Sequence, residues 1–221
     1  MQTALPQNKT SFGEELASSI THGIGALLAM TALIVMLTRA ASRGDIWLIV
    51  ACGIFGATLV LSYLASTLYH ALPQPGAKNL FRLFDHAAIF LLIAGSYTPI
   101  TLVTLRGPWG WSLFSIIWCL AITGILCEVF VAGRLALFRV AVYIIMGWTI
   151  VIATRPMLQL VATDGHLLLL WGGIAYTAGT IFYVWRRLPY NHAIWHLFVL
   201  AGSALHVLAI LKYVIPAPLE G

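Results

Sequence analysis

Charge is what this chain most lacks. Lys, Arg, Asp and Glu together make up 9% of its 221 residues, and only seven residues are acidic. Soluble domains carry roughly 25% charged residues. With 61% hydrophobic residues, a water-soluble fold of this size would expose a very large apolar surface, which soluble monomers avoid. The shortage of charge therefore excludes an ordinary soluble domain and makes the bilayer the fitting solvent. The net charge of +5 reflects missing acids rather than massed bases. No dense basic stretch exists, which excludes a nucleic-acid binder and leaves a modest attraction to anionic lipid. Cysteine is also scarce: Cys52, Cys119 and Cys127 lie in apolar runs and form no CxxC pair. A disulfide framework and a thiolate zinc site are thereby excluded, and the three are expected to be small buried hydrophobes. The opening MQTALPQNKTSFGEE is polar with two acids. It lacks the basic start and short apolar stretch of a cleavable signal, so the first apolar run is expected to be the first span.

Long apolar runs are what the chain has instead. A membrane helix needs about 20 mostly apolar residues. Seven such runs are expected at about residues 16–38, 46–70, 84–105, 109–130, 135–154, 167–185 and 192–214. Short polar or Pro/Gly-containing breaks separate them, among them ALPQPG, RGP, RPMLQLVATDGH and RRLPYN. In the first loop stand Arg39, Arg43, Gly44 and Asp45. The fifth run carries Arg139, which would have to snorkel toward the near surface. Pro99 falls inside the third run, where a kink is expected. The expectation is one all-α domain over residues 1–221, a seven-helix transmembrane bundle behind a polar segment at 1–15. No internal repeat or low-complexity segment stands out. The eight Trp and eight Tyr suit interfacial belts.

Orientation follows from the basic residues. With the N-terminus cytoplasmic, the inner segments hold seven, namely Lys9, Lys78, Arg82, Arg134, Arg139, Arg186 and Arg187. The outer segments hold five: Arg39, Arg43, Arg106, Arg155 and Lys212. The positive-inside rule favours a cytoplasmic N-terminus.

Seven spans also sort the polar side chains. Glu15 and His22, Ser66 and His70, Asp85 and His86, Glu128, and His192 and His196 all map to the N-terminal side of the bundle. His166 falls on the opposite side and His206 lies deeper in the seventh span. Ionisable groups in spans are costly and tend to mark function. Polarity of helix ends alone would decorate both faces equally.

His192 and His196, in HAIWH, are four residues apart and so share a helix face. Such a pair either binds one metal ion, as in helical HExxH sites, or packs as two hydrogen-bonded rings. His70 ends the second span at the same depth. Three imidazoles with an open position make the arrangement of catalytic zinc, which lowers the pKa of its water to about 7. Ser66 stands four residues before His70, placed to hydrogen-bond the water or a ligand. Asp85 either handles a proton there or caps the third helix. Glu15 and His22, seven apart, share a face, with either a supporting or proton-relay role or simple helix-start polarity. His86 points about 100° away from Asp85 and is not expected to be a fourth ligand. His206 is about 15 Å along the helix from His196, too far for the same ion, and an interhelical hydrogen bond is expected.

Taken together, EELASSITHG at 14–23, SRGDIW at 42–47, YLASTLYH at 63–70, FDHAAIFLLIAGSYTP at 84–99 and NHAIWHLFVLAGSALH at 191–206 resemble the bacterial haemolysin III family. That family is related to the progestin and adipoQ receptors and more distantly to alkaline ceramidases. The resemblance implies zinc held at His70, His192 and His196, with Asp85 on the metal's water and Ser66 beside it. It also implies a cytoplasmic N-terminus, a metal near the cytoplasmic side and residence in the inner membrane. One departure is Ser18, where the family often has Asn, so a polar role at position 18 does not carry over.

Three functions compete. The first is a zinc-dependent hydrolase of a lipid amide or ester, with membrane lipid as substrate. The second is a receptor-like sensor or regulator of membrane lipid homeostasis with structural zinc. The third, which the family name suggests, is a lytic or pore-forming protein. A conducting path calls for polar residues through the full membrane, whereas here they gather near one face.

Overall fold

The computed structural model describes residues 11–131 and 136–216. Among them, seven helical spans are long and apolar enough to cross a membrane. The spans are α1 (Phe12–Ala41), α2 (Ile46–Ala71), α3 (Pro75–Pro99) with its extension Ile100–Thr104, α4 (Pro108–Val131), a fifth made of α5 (Ala136–Trp148), Thr149–Ala153 and α6 (Thr154–Leu160), α7 (Thr163–Val184), and α8 (Asn191–Ala209) with its extension Ile210–Val214. The expected all-α seven-span bundle is therefore what the chain forms. The start expected at residue 135 for the fifth span lies outside the described residues, as do Lys9 and Arg134 of the charge count.

Local chemistry explains the helix ends. Ser11 caps α1 reciprocally with Glu14: the Glu14 N–H donates to Ser11 Oγ at 3.2 Å and the Ser11 N–H to Glu14 Oε2 at 2.8 Å. This places the last residues of the polar segment 1–15 inside the helix. Arg39 lies in the last turn of α1 rather than in a loop, and Asp45 caps α2 by accepting from the Trp47 N–H at 2.7 Å. The third helix starts at Pro75, a favoured first-turn position for proline, well before the apolar run at 84. At Pro99 the α-helical ladder gives way to a wider turn, in which the Leu105 N–H reaches back five residues to Ile100 O at 2.8 Å. Proline lacks the N–H and crowds the carbonyl four residues back, which accounts for the irregularity expected there. Pro156 has a similar effect on the fifth span. It would crowd the Ile152 carbonyl, and the chain from Thr149 to Ala153 tightens into a 3-10 turn before α6 resumes. The segment from Arg155 to Leu160, expected as a break, is thus helical.

The helices divide into inner and outer ones. α2 and α3 are the most enclosed, whereas α1, α4 and α7 turn residues such as Leu27, Ile122 and Ile181 outward. Cys52 is buried, but Cys119 and Cys127 are exposed on the outward surface, which corrects the expectation that all three are buried. Tyr63 on α2 donates to Ser203 Oγ on α8 at 2.7 Å, and this buried interhelical bond sets the second span against the seventh. The expected interhelical bond of His206 is present, with its Nε2 3.2 Å from Leu169 O on α7.

Candidate metal centre

His70 occupies the last turn of α2 and His192 and His196 the first turns of α8, so antiparallel packing brings them to one end of the bundle. One ligand atom from each lies within 4.8 Å of the other two. An ion bound at about 2.0–2.1 Å per bond would draw these atoms closer together. The ring centroids are 4.8 Å apart for His70–His192, 5.2 Å for His70–His196 and 4.6 Å for His192–His196.

Hydrogen bonds on the far side of the rings set which nitrogen faces the cluster. Glu15 Oε2 accepts from His70 Nδ1 at 2.8 Å, and Lys78 Nζ holds the same oxygen at 2.9 Å. His196 Nδ1 donates to Ser18 O at 3.2 Å. A carboxylate or carbonyl partner on Nδ1 leaves Nε2 as the free lone pair, the usual support of a metal-binding histidine. Ser18 does this through its backbone, so a serine in place of asparagine changes nothing in that contact. His70 Nε2 and His192 Nε2 are buried and meet no protein partner among the described residues. Buried polar atoms are seldom left unpaired, so three converging imidazoles, two of them with orphaned nitrogens, fit a metal ion.

Ser66 and Asp85 complete the group. Ser66 is 1% exposed, with its Oγ buried beside Asp85. Asp85 is 7% exposed, feels the charge of His86 and His70, and lies within hydrogen-bonding reach of Ser66. It is the eleventh residue of α3, three turns inside the helix, and Gln74 stands at the N-cap. The alternative of Asp85 as a helix cap is thereby set aside. A carboxylate buried at that depth is expensive unless it is used.

Sequence reasoning missed three features of the surroundings. His22 stacks on His196 with centroids 3.4 Å apart and planes 10° from parallel, and both its nitrogens are buried without partners among the described residues. Glu128 on α4 accepts from His86 Nδ1 at 2.8 Å and from Arg139 Nη1 at 2.9 and 2.8 Å, while Arg139 Nη2 donates to the Tyr183 hydroxyl at 3.0 Å. Arg139 is 7% exposed and does not snorkel, because Glu128 and the Tyr183 hydroxyl hold its two Nη atoms inside the bundle. His86 belongs to this second cluster and not to the metal ligands. The gathering of Glu128, His86 and Arg139 at one face was a signal for such pairing, since charges in membranes pair with one another. Third, Tyr190 begins α8 with φ 57°, a left-handed conformation unfavourable for a bulky residue. Glu14 Oε1 holds it there by accepting its N–H at 3.0 Å. The first turn of α1 thus braces the start of the helix that carries His192 and His196.

A bundle of seven membrane-crossing helices with an inward-facing histidine trio at one end defines a polytopic membrane protein with a possible metal centre. Residues 10–207 match the family model described as Haemolysin-III related, and the chain belongs to this family. It is 49% identical over 203 residues to Hemolysin-3 of Bacillus cereus, covering 92% of this chain and 93% of that protein. To the Hemolysin-3 homolog of Bacillus subtilis it is 44% identical over 205 residues, covering 93% and 96%. The human Monocyte to macrophage differentiation factor is a more distant relative, 27% identical over 213 residues, covering 94% and 87%.

Proposed function

We propose that the protein is a zinc-dependent membrane hydrolase that cleaves an amide or ester bond of a lipid. The observation that carries the proposal is the convergence of His70, His192 and His196, two with orphaned buried nitrogens, beside a buried Asp85 and Ser66. Zinc held by the three imidazoles would supply a Lewis acid and lower the pKa of a bound water. Glu15 orients His70, and the Ser18 carbonyl orients His196. Hydrolysis adds one water across the C–N or C–O bond. Asp85 takes a proton and returns it to the leaving nitrogen or oxygen. Ser66 Oγ, beside Asp85, hydrogen-bonds the substrate carbonyl or the water.

A chamber suited to lipid supports this. Between α3, α5, α7 and α8 lies a largely apolar space of about 90 Å³ whose lining includes Trp195, the residue before His196. The charge asymmetry of the sequence further supports a cytoplasmic N-terminus and metal site in an inner membrane.

Turnover of N-acyl and ester lipids by purified, zinc-loaded protein tests the proposal. Asp85→Asn should lower kcat by about 10²–10⁴-fold while zinc remains bound. Equal turnover in the variant, or none in the wild type, rejects it. A second possibility is that the ion is a structural clamp, since the trio joins α2 to α8. Chelation would then lower thermal stability while no lipid product forms.

A further inference from the structure

The chamber beside Trp195 continues away from the metal centre. A second space of about 290 Å³ adjoins it and reaches His166. The two share Ser96, Tyr97, Gly147, Trp148, Gly173 and His206. His206 therefore stands at the waist, ten residues from His196 and about 15 Å along the helix.

The waist is poor in free donors. Leu169 O accepts from His206 Nε2 at 3.2 Å, and a carbonyl cannot donate. The proton is thus on Nε2, and Nδ1 of the neutral ring is a lone pair. That atom is buried and without a partner among the described residues. The neighbouring polar groups have partners of their own: the Tyr176 hydroxyl, whose ring stands 5.4 Å from that of His206, shares a 2.8 Å hydrogen bond with Ser203 Oγ. Ser96 donates to Ile93 O at 2.8 Å, Thr177 to Gly173 O at 2.8 Å, Trp148 Nε1 to Thr177 Oγ1 at 3.0 Å and Tyr97 to Met146 O at 2.8 Å. His166 repeats the pattern at the far end: its Nδ1 donates to Ala162 O at 3.1 Å, and its Nε2 is buried and unpartnered. A buried acceptor left unmet is unfavourable until a donor reaches it.

We infer that the chamber takes a lipid with a neutral hydroxyl partway along its apolar body, and that this hydroxyl donates to His206 Nδ1. An unsubstituted chain leaves the acceptor unmet. A carboxylate at that depth sets acceptor against acceptor, and an ammonium group brings a buried charge. The inference deepens the hydrolase proposal by naming a substrate class, and it shares with that proposal only the chamber.

Equilibrium binding to the protein in nanodiscs, with methyl stearate, methyl 12-hydroxystearate and monostearin as competing probes, tests it. Wild type should prefer the mid-chain hydroxy ester over methyl stearate by about fivefold or more. His206→Phe should lose this preference while still binding methyl stearate, and His206→Gln, which keeps a donor and an acceptor, should retain part of it. Equal binding of the two esters to wild type overturns the inference without recourse to any variant. So does a preference that survives in His206→Phe, or one shown only by monostearin, whose hydroxyls are on its head. His192→Ala should leave the preference intact, and a wild type that turns over no lipid yet keeps the preference supports the chamber assignment while the hydrolase proposal falls.

Discussion

Glu15, in the first turn of α1, accepts a hydrogen bond of 2.8 Å from His70 Nδ1 in the last turn of α2. Lys78 Nζ lies 2.9 Å from the same carboxylate oxygen. One carboxylate thus fixes a histidine ring and ties together three helices, all by way of residues at one end of the bundle. Glu15→Gln should weaken zinc binding by about 10–100-fold, the usual effect of removing a partner that orients a metal ligand. Competition with a chromogenic chelator measures it. Unchanged affinity would show that the ring needs no such support.

Among the described residues Glu128 is the acidic partner of Arg139, which is 7% exposed. Glu128→Ala leaves that guanidinium buried and uncompensated, and should destabilise the protein by about 3–5 kcal/mol. The double variant Glu128→Ala/Arg139→Met removes both charges and should recover much of the loss. Thermal unfolding in detergent compares the two. A double variant as unstable as the single one would mean that packing, not charge, accounts for the cost.

Gly110 faces backbone that cannot move aside. A Cβ there would clash with the backbone oxygens of Thr101 and Leu105. At Gly53 the nearest atom is the Leu37 Cδ2 methyl, at 3.6 Å. Gly110→Ala should therefore cost about 1–3 kcal/mol or more, with little change for Gly53→Ala. Melting temperatures of the two variants in one detergent check this, and a tolerated Gly110→Ala would refute the tight approach of α4 to the turn after Pro99.

The spans were legible because bilayer burial leaves long uncharged runs, but such runs mark the hydrocarbon and not the helix. This is why α3 begins at Pro75, ahead of Lys78 and Arg82, and why Asp85 lies three turns inside it. The fifth span was cut short in the sequence because Arg155 and Pro156 look like a break. In the fold, proline sits in the first turn of α6. The histidine trio was readable from a four-residue spacing on one helix and the matching depth of His70. The Glu128–Arg139 pair and the His22–His196 stack depend on how separate helices meet, which periodicity along one helix does not encode. Arg139 alone suggested snorkelling, and only its partner on α4 shows why it stays inside.

The most direct measurement is the metal content of the purified protein, compared with His70→Ala, His192→Ala and His196→Ala, each shown to be folded. The account requires about one zinc per wild-type chain and a large loss in every variant. A wild type that holds no zinc, or a full zinc load in the folded His192→Ala and His196→Ala proteins, would contradict it.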